Sequence, residues 1–385
     1  MSDAWVRNGV TIDDSFAEAF PMKATRIVIT AHNLTWARHA AAAATGFATS
    51  VIACGCEAGI ERELDPGETP DGRPGLAVLF FSMSGKELAK QVERRVGQCV
   101  LTCPTTAVFA GIHAGEAIAL GKNLRFFGDG WQISKVIDGI RYWRIPVMDG
   151  EFVAQETTAV VKGVGGGNLL LLCRDTDTAL AVAEAAVLAM KTLPNVIMPF
   201  PGGVVRSGSK VGSKYAALSA STNDAFCPSL YGLVERSELT PQTRCVMEIV
   251  IDGLTEADVG AAMRVGMQAG IAIGAAGGLL RISAGNYGGK LGPFHFHLQK
   301  LLAEGGVEWA AGASRSSTRL RSGSICAASR RRRWRGFRWP TLNACRWSAA
   351  MRRRRWRNSS RSKPLPATRW SSTLTWRAST ASAGR

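Results

Sequence analysis

A single acidic residue interrupts the apolar segment Cys245–Ile251, which reads CVMEIVI. If this segment is a strand, alternation places Glu248 between Val246 and Val250 on one face, and the opposite face is also apolar. A strand that is apolar on both faces is typical of a buried strand. Burial disfavours an ionised carboxyl, so we expect Glu248 to have a raised pKa and to serve as a proton donor in acyl transfer. The alternative is an acid at a sheet edge that faces solvent.

The segment Phe200–Pro228 contains neither an apolar run long enough for a strand nor a helical period. Loops of this length inside compact domains are usually functional or disordered. Scattered aromatic residues such as Tyr215 favour an ordered loop. Its hydroxyls, amides and spaced cations suit a large anionic or polar ligand. The candidate ligand-binding residues are Lys210, Lys214, Ser221, Thr222, Asn223 and Asp224.

Two glycine-rich blocks supply weaker candidates for ligand binding. Asp129 lies in FFGDG, and Asn286 and Lys290 lie in NYGGKLG. Blocks of this composition also form tight turns without any ligand, and the residue types alone do not decide between the two roles.

Other short motifs do not meet the requirements of the sites they resemble. The GVGGGN block at 163–168 runs into the apolar LLLLC, which favours a bulge or hairpin over a dinucleotide site, because that site must open a helix. In GSKVGSK the lysine does not directly follow the second glycine, which excludes a P-loop. His295, His297 and the dispersed cysteines lack the paired spacing of zinc ligands, so no metal is predicted.

The elements that position these residues are apolar strands and amphipathic helices. Helices are predicted at Trp36–Thr45, Lys86–Val96, Thr178–Lys191 and Glu256–Ala269. The predicted strands are Thr25–Thr30, Thr49–Cys54, Leu76–Ser82, Cys99–Cys103, Leu124–Phe127, Tyr142–Val147, Phe152–Lys162, Leu169–Cys173, Cys245–Ile251, Leu279–Ser283 and Phe294–Leu298.

A strand, a helix and further strands recur in both halves of the body, which favours split βαβ units. The predicted fold is α+β, with two lobes of α/β sandwich that consist of ferredoxin-like split βαβ units with antiparallel sheets. We place the boundary at Asp149–Gly150. The N-terminal lobe is then 1–149, and the C-terminal lobe at 150–303 carries Glu248.

The last part of the chain, 304–385, differs in composition from everything before it. From Gly306 to Arg385 it holds twenty of the 47 basic residues, one of the 30 acidic residues and seven of the 11 Trp. Such like-charge blocks predict a disordered tail. The tail fits an arm that binds nucleic acid, an arm that binds an acidic partner, or out-of-frame sequence. The third is favoured because no fold rule explains the composition.

The start of the chain, MSDAWVRNGVTIDD, lacks the features of a signal peptide, and no segment has the length and apolar content of a membrane span. The nine cysteines show no disulfide framework. A cytoplasmic protein with free thiols is therefore expected.

Ten blocks, in one order between about Gly9 and Leu301, are similar to a known family. The blocks are DSFAEAF, ATGFATSVI, ETPDGRPG, RVGQCV, LRFFGDGW, FPGGVV, SKVGSK, ASTNDAFCP, EIVIDGL and ISAGNYGGKLG. They resemble formylmethanofuran–tetrahydromethanopterin N-formyltransferase, a family that includes the transferase component of the bacterial formyltransferase/hydrolase complex. Residues beyond about Ala303 depart from the family pattern.

The resemblance implies an acyltransferase that moves a formyl group between N5 of tetrahydromethanopterin and the amine of methanofuran. These two carriers are then substrates, with no tightly bound cofactor and no metal. In methylotrophic bacteria the reaction would serve formaldehyde oxidation to formate. The proposed catalytic acid of the family falls in the EIVI motif, which here assigns that role to Glu248.

The resemblance also implies a homo-oligomer, expected to be a tetramer, and contacts with hydrolase-complex subunits. No nucleic acid and no membrane are expected as partners of the body. The alternative is a non-catalytic scaffold subunit whose basic tail binds an acidic partner or nucleic acid.

Overall fold

The computed structural model describes residues 5–208 and 210–304. Of the tail at 304–385, only Glu304 is among them, so the predictions for the tail lie outside the described residues. The strands are β1 (Trp5–Arg7), β2 (Val10–Ile12), β3 (Phe16–Thr30), β4 (Glu57–Leu64), β5 (Gly75–Ser82), β6 (Ala107–Ala110), β7 (Glu116–Ala119), β8 (Ile133–Ile137), β9 (Ile140–Val147), β10 (Gly150–Gln155), β11 (Thr157–Cys173), β12 (Val196–Ile197), β13 (Lys210–Val211), β14 (Ala220–Ser221), β15 (Cys245–Gly253), β16 (Leu279–Ser283) and β17 (Phe294–His297). The α-helices are α1 (Leu34–Thr45), α2 (Val51–Cys54), α3 (Gly85–Arg95), α4 (Gly121–Leu124), α5 (Thr176–Met190), α6 (Glu256–Ile273) and α7 (Leu298–Ala303).

The N-terminal lobe is built on an antiparallel sheet with the strand order β6-β3-β5-β4. The helices α1 and α3 connect these strands and pack their buried faces on the sheet. This βαββαβ connectivity is the ferredoxin-like arrangement that the sequence predicts. Strands β10, β9 and β8 extend the same sheet beyond β6.

The C-terminal lobe repeats this connectivity with the strand order β16-β11-β15-β12, and α5 and α6 cover one face. The segment 65–74 joins β4 to β5 in the first lobe. The corresponding connection in the second lobe is the much longer segment 198–244, which contains the predicted ligand loop. The shared topology confirms the two-lobed α+β fold, and the ligand loop is an expanded hairpin connection.

Two long strands join the lobes. Strands β3 and β11 pair in antiparallel fashion, with Val161 opposite Ala24. The first residues of β3, including Ala17, pack in the core of the C-terminal lobe, and Val160 of β11 packs in the N-terminal core. Strand β10 also pairs within the N-terminal sheet. Each core therefore includes a segment from the other half of the chain, and the boundary at Asp149–Gly150 stays a prediction.

The GVGGGN block lies inside β11, where the register with β15 shifts between Val164 and Gly167. This is the bulge that the sequence favours. A Cβ atom on Gly165 would lie 2.0 Å from Sδ of Met22, and one on Gly167 would lie 2.4 Å from Cγ1 of Val259. The close approach of neighbouring elements requires these glycines, and no helix opens after them.

Three of the predicted short strands are wrong, because each segment is helical or forms a turn. Thr49–Cys54 contains α2, a single turn that Ser50 begins by accepting a hydrogen bond from the N–H of Ile52. Gly55 ends it in the left-handed region, at a φ of 75°. One capped turn is too short to show a helical period, and its β-branched residues suggested a strand.

The other two wrong strands follow helices. Cys99–Cys103 overlaps a π-helical turn at Val96–Val100, which prolongs α3 and buries Val96 and Val100 in the N-terminal core. Leu124–Phe127 spans the end of α4 and a 3-10 turn at Arg125–Gly128. Short apolar runs do not distinguish a buried helical turn from a strand, and packing decides between them.

Two acids interact between the lobes, Glu57 at the start of β4 and Asp252 near the end of β15. Asp252 is fully buried, and its pKa is raised well above the usual value by burial and by the neighbouring Glu57. Burial also raises the pKa of Glu57. Oδ1 of Asp252 accepts a hydrogen bond from Gly166 N at 3.2 Å, whereas no donor among the described residues reaches Oδ2. A proton on Oδ2 that is donated to the Glu57 carboxylate satisfies both groups.

The variant Asp252→Asn is expected to be more stable than the wild type at pH 8 and to lose this advantage near pH 5. In the wild type, the pKa of Asp252 is higher in the folded state than in the unfolded state, where it is about 4. The stability that Asp252 contributes is therefore complete below about pH 4 and is lost as pH rises through the pKa of the folded state. The neutral amide keeps the donor towards Glu57 at every pH. Thermal melts should show a gain of about 2–4 °C at pH 8, as ~1 kcal/mol produces in a domain of 150–250 residues. A pH-independent gain, or the same profile in the exposed control Asp14→Asn, would contradict a shared proton.

Candidate active site

Glu248 is buried within the sheet, with 3% of its surface exposed. Its strand β15 pairs with β11 on one side, where Glu248 lies opposite Leu170. On the other side the backbone of Glu248 exchanges two hydrogen bonds with Val205, with N···O distances of 2.7 and 2.9 Å. The predicted burial is confirmed, and the alternative of a solvent-facing acid at a sheet edge is wrong.

The predicted ligand loop covers the face of the sheet to which Glu248 belongs. Val246 and Leu170 on this face pack with Phe226 and Leu239. A cavity of about 30 Å³ beside Glu248 is lined by loop residues that include Arg206, Ser207, Asn223 and Cys227. This volume suits about one water molecule and not a larger ligand. The cavity therefore does not hold a large ligand in this arrangement of the loop.

Within the loop, the strands β13 and β14 form a two-residue hairpin in which Lys210 lies opposite Ser221. Nζ of Lys210 forms an ion pair with Oδ1 of Asp224 at 2.8 Å. Hydrogen bonding to Lys210 lowers the pKa of Asp224. Two of the predicted binding residues thus pair with each other, and both side chains remain nearly half exposed.

The hydroxyls of the loop bond to its own backbone. Ser221 donates to Gly212 O at 2.7 Å, and Thr222 donates to Ser207 O at 3.2 Å. Asn223 lines the cavity beside Glu248. Lys214 is exposed. The structure therefore brings Asn223 to Glu248 and orders the loop around a small set of local hydrogen bonds.

The weaker candidates lie elsewhere. Asp129 is an exposed residue of the N-terminal lobe in the left-handed region, at a φ of 50°. Asn286 donates to Ser15 Oγ at 3.2 Å and to Phe16 O at 3.3 Å, so its amide holds its own turn. Lys290 is exposed in the same turn.

Sequence reasoning missed Glu18, which is fully buried in β3. Its carboxylate accepts four backbone hydrogen bonds from the NYGGKLG turn. Tyr287 N and Gly289 N donate to Oε2 at 2.7 and 2.9 Å, Gly292 N donates to Oε1 at 2.6 Å, and Leu291 N also donates to Oε1. Burial opposes ionisation, but these four hydrogen bonds lower the pKa of Glu18 below its usual value. The sequence feature that could have identified Glu18 is an acid flanked by the apolar residues Ala17 and Ala19 in DSFAEAF.

Tyr287 was also missed. Burial raises its pKa, and the nearby charges of Glu248 and Glu18 raise it further. The ring lies beside Phe20, with 6.2 Å between the ring centroids. A tyrosine whose pKa exceeds 10 keeps its hydroxyl proton at neutral pH, so Tyr287 is a neutral hydrogen-bond donor near Glu248.

This arrangement offers an acid–base group and a neutral donor next to a cationic, hydroxyl-rich loop. It can shuttle a proton and hydrogen-bond a developing oxyanion. In the ranges 5–208 and 210–304, no group of three or more His, Cys, Asp or Glu is placed to hold a metal ion. No helix in the described part of the chain is long and apolar enough to cross a membrane.

Two family models match the chain in succession. Residues 6–147 match the model for formylmethanofuran-tetrahydromethanopterin formyltransferase, and residues 150–301 match the model for its proximal lobe. Among curated proteins, the formylmethanofuran–tetrahydromethanopterin formyltransferase of Methylococcus capsulatus is 70% identical over 296 residues. This alignment covers 77% of the present chain and 99% of that protein.

Two solved structures are also similar. The formyltransferase/hydrolase complex of Methylorubrum extorquens, crystallised with methylofuran, contains a chain that is 51% identical with a TM-score of 0.76, and the match covers 78% of this chain and 99% of that chain. The formyltransferase of Methanosarcina barkeri is 47% identical with a TM-score of 0.73, over 77% of this chain and 100% of that chain.

Proposed function

The chain belongs to the formylmethanofuran–tetrahydromethanopterin formyltransferase family, and from that membership we propose that it transfers a formyl group between 5-formyl-tetrahydromethanopterin and methanofuran. The observation that carries the proposal is the buried Glu248 on β15 beneath the ligand loop, in the EIVI motif to which the family resemblance assigns the acid.

The reaction requires the movement of one proton. The amine of one carrier attacks the formyl carbon on the nitrogen of the other, and a tetrahedral intermediate forms. The attacking nitrogen then loses a proton, the bond to the leaving nitrogen breaks, and that nitrogen gains a proton. We assign this transfer to the Glu248 carboxyl, which accepts the first proton and returns one to the leaving nitrogen. Neutral donors can stabilise the oxyanion.

The loop supplies the carrier contacts in this proposal. Both carriers bear carboxylates, and the pterin also bears a phosphate, so cations and hydroxyls suit them. We assign carrier binding to the loop candidates and retain Asp129, Asn286 and Lys290 as weaker candidates. Of these, Lys214 is the exposed cation, whereas Lys210 must exchange or share its partner Asp224.

The physiological setting follows from the relatives. We propose one-carbon metabolism, with formyl transfer to the furan carrier during formaldehyde oxidation to formate in the cytoplasm. The solved chain from Methylorubrum extorquens belongs to a formyltransferase/hydrolase complex, so we propose contacts with hydrolase subunits and a homo-oligomer, expected to be a tetramer. The scaffold alternative depended on the basic tail, which lies outside the described residues, and no observation favours it.

The direct test is an assay of the purified full chain with 5-formyl-tetrahydromethanopterin and methanofuran. Formation of formylmethanofuran, followed by mass spectrometry, should saturate with both carriers. We expect the reaction to proceed without added metal or nucleotide. A folded chain that transfers no formyl group in either direction would overturn the proposed function.

The variants Lys210→Ala and Lys214→Ala are each expected to raise the KM for one carrier about 2- to 5-fold, as ~0.5–1 kcal/mol of an exposed charge contact predicts. The charged groups of a carrier are remote from the formyl group, so a contact to them stabilises the ground state and the transition state equally. The substitutions should therefore change kcat less than KM. The effect should decrease as salt increases. Steady-state kinetics at two salt concentrations check this.

Two further variants sharpen the test of the loop. In this proposal Asp224 acts on the carriers only through Lys210, which it holds in an ion pair. Asp224→Asn releases Lys210 and should therefore lower the KM that Lys210→Ala raises. The exposed Lys86 on α3 provides a matched control, and Lys86→Ala should leave both KM values unchanged. If the loop variants behave like this control at low salt, the loop lysines do not bind the carriers.

A further inference from the structure

We propose that the Glu18 carboxylate is a positioning residue of the formyl-transfer site: it holds the turn 286–292 and so keeps the Tyr287 hydroxyl beside Glu248. The proposal rests on the proposed function. It adds a fixed buried anion and a neutral donor to the single acid that the family motif provides.

The Glu18 carboxylate binds this turn through hydrogen bonds that require both of its oxygens. Four backbone N–H groups of residues 287–292 converge on its two oxygens, two on each. Converging N–H groups form an anion-binding concavity, and here the anion belongs to the protein. Gly288 and Gly289 allow the convergence, because both have positive φ angles of 75° and 69°. A side chain other than a carboxylate cannot accept from all four donors.

The sheet places this turn next to Glu248. Glu248 lies opposite Leu170 on β11, and Leu170 lies opposite Ser283 on β16. The three residues form one row, and β16 leads directly from Ser283 into the turn. Neighbouring strands in a sheet are about 4.8 Å apart, so the turn starts roughly 10 Å from the Glu248 backbone. The charge of Glu248 acts on Tyr287 within this turn.

Gly285, which directly precedes the turn, is also held by hydrogen bonds. Oδ1 of Asn168 on β11 accepts from Gly285 N at 2.6 Å, and its amide donates to Gly285 O at 3.1 Å. Glu18 N also donates to Gly285 O at 3.3 Å. Glu18 therefore contacts both the start and the interior of the turn. Its side chain controls the part that carries Tyr287.

The variant Glu18→Gln tests the role of this charge. The amide oxygen can accept two hydrogen bonds, but the NH₂ group faces the remaining N–H donors, so the turn should detach. We expect kcat to fall about 10- to 100-fold, with a smaller change in KM, as for a misplaced donor in the transition state. Glu18→Asp keeps the charge and should restore part of the loss.

A double-mutant cycle separates positioning from general destabilisation. If Glu18 acts through Tyr287, Tyr287→Phe should lower kcat to a similar extent, and Glu18→Gln should have little further effect in the Tyr287→Phe background. The control is Glu61→Gln, which removes another buried carboxylate, one that pairs with Arg26 away from the turn. It should lower the melting temperature without lowering kcat. Additive losses in the cycle would overturn the proposal.

A second readout does not depend on activity. The chain has four tyrosines, so the difference in tyrosinate absorbance between the wild type and Tyr287→Phe isolates the titration of Tyr287. Both Glu18→Gln and Glu248→Gln should make Tyr287 ionise at lower pH, because each removes a neighbouring negative charge. An unchanged titration in both folded variants would overturn the proposal even if formyl transfer is observed. A shifted titration in a chain that transfers no formyl group would instead refute only the proposed function.

Discussion

Glu248→Gln is expected to lower kcat for formyl transfer at least ~100-fold, the usual loss when a general acid–base group is removed. Glutamine keeps the shape and can still donate a hydrogen bond, but it cannot take a proton from one nitrogen and return it to the other. The residue is buried and its backbone is held by Val205, so the fold and the KM values should change little. Steady-state and single-turnover kinetics with both carriers check the chemical step.

The exposed acid Glu184 on α5 provides the matched control. Glu184→Gln makes the same chemical change far from any proposed role and should leave kcat unchanged. Circular dichroism and thermal melts must show that both variants are folded. A folded Glu248→Gln variant with near wild-type kcat would remove Glu248 from the mechanism.

Arg26→Met is expected to lower the free energy of unfolding by about 3–5 kcal/mol, the cost of breaking a buried ion pair at one partner. Nε and Nη2 of Arg26 bond to the two carboxylate oxygens of Glu61 at 2.6 and 2.7 Å. Nη2 also donates to Asn195 Oδ1 at 2.7 Å. Glu61 lies on β4 of the N-terminal lobe, and Asn195 precedes β12 of the C-terminal lobe. The substitution therefore leaves a buried carboxylate without its cation and weakens the contact between the lobes.

The control is a second ion pair, between Arg38 on α1 and Glu63, which shares strand β4 with Glu61. Arg38 bonds to Glu63 at 2.5 Å, but both side chains are about half exposed. Arg38→Met should therefore cost at most ~1 kcal/mol. Urea unfolding of the two variants measures the difference. If both substitutions cost the same, the burial of Glu61 does not determine the strength of its ion pair.

The sequence determined the features that depend on local pattern. The predicted helices are present, and Asp175 and Thr255 cap α5 and α6 through their side chains. The two-lobed ferredoxin-like fold follows from the order of strands and helices, which packing rules restrict to few topologies. Glu248 stood out because the segment Cys245–Ile251 is otherwise apolar, and the family blocks surround it.

Short elements could not be predicted because their structure depends on contacts rather than on a period. The segment Cys99–Cys103 is predicted as a strand, but it overlaps the helical turn Val96–Val100, which prolongs α3 and packs in the N-terminal core. The same limit applies to α2, which is one turn long. A pattern needs two or more repeats before it indicates a structure.

Only the tertiary structure decided which polar residues meet. Glu18 and Tyr287 are 269 residues apart along the chain, and Glu57 and Asp252 lie in different lobes, yet each pair interacts. Hydrogen bonds and charge interactions act over a few ångströms, and strand pairing sets those distances through the register of β3, β11, β15 and β16. The sequence specifies the chemistry of each side chain, whereas the long-range pairing of strands determines which of them form a site.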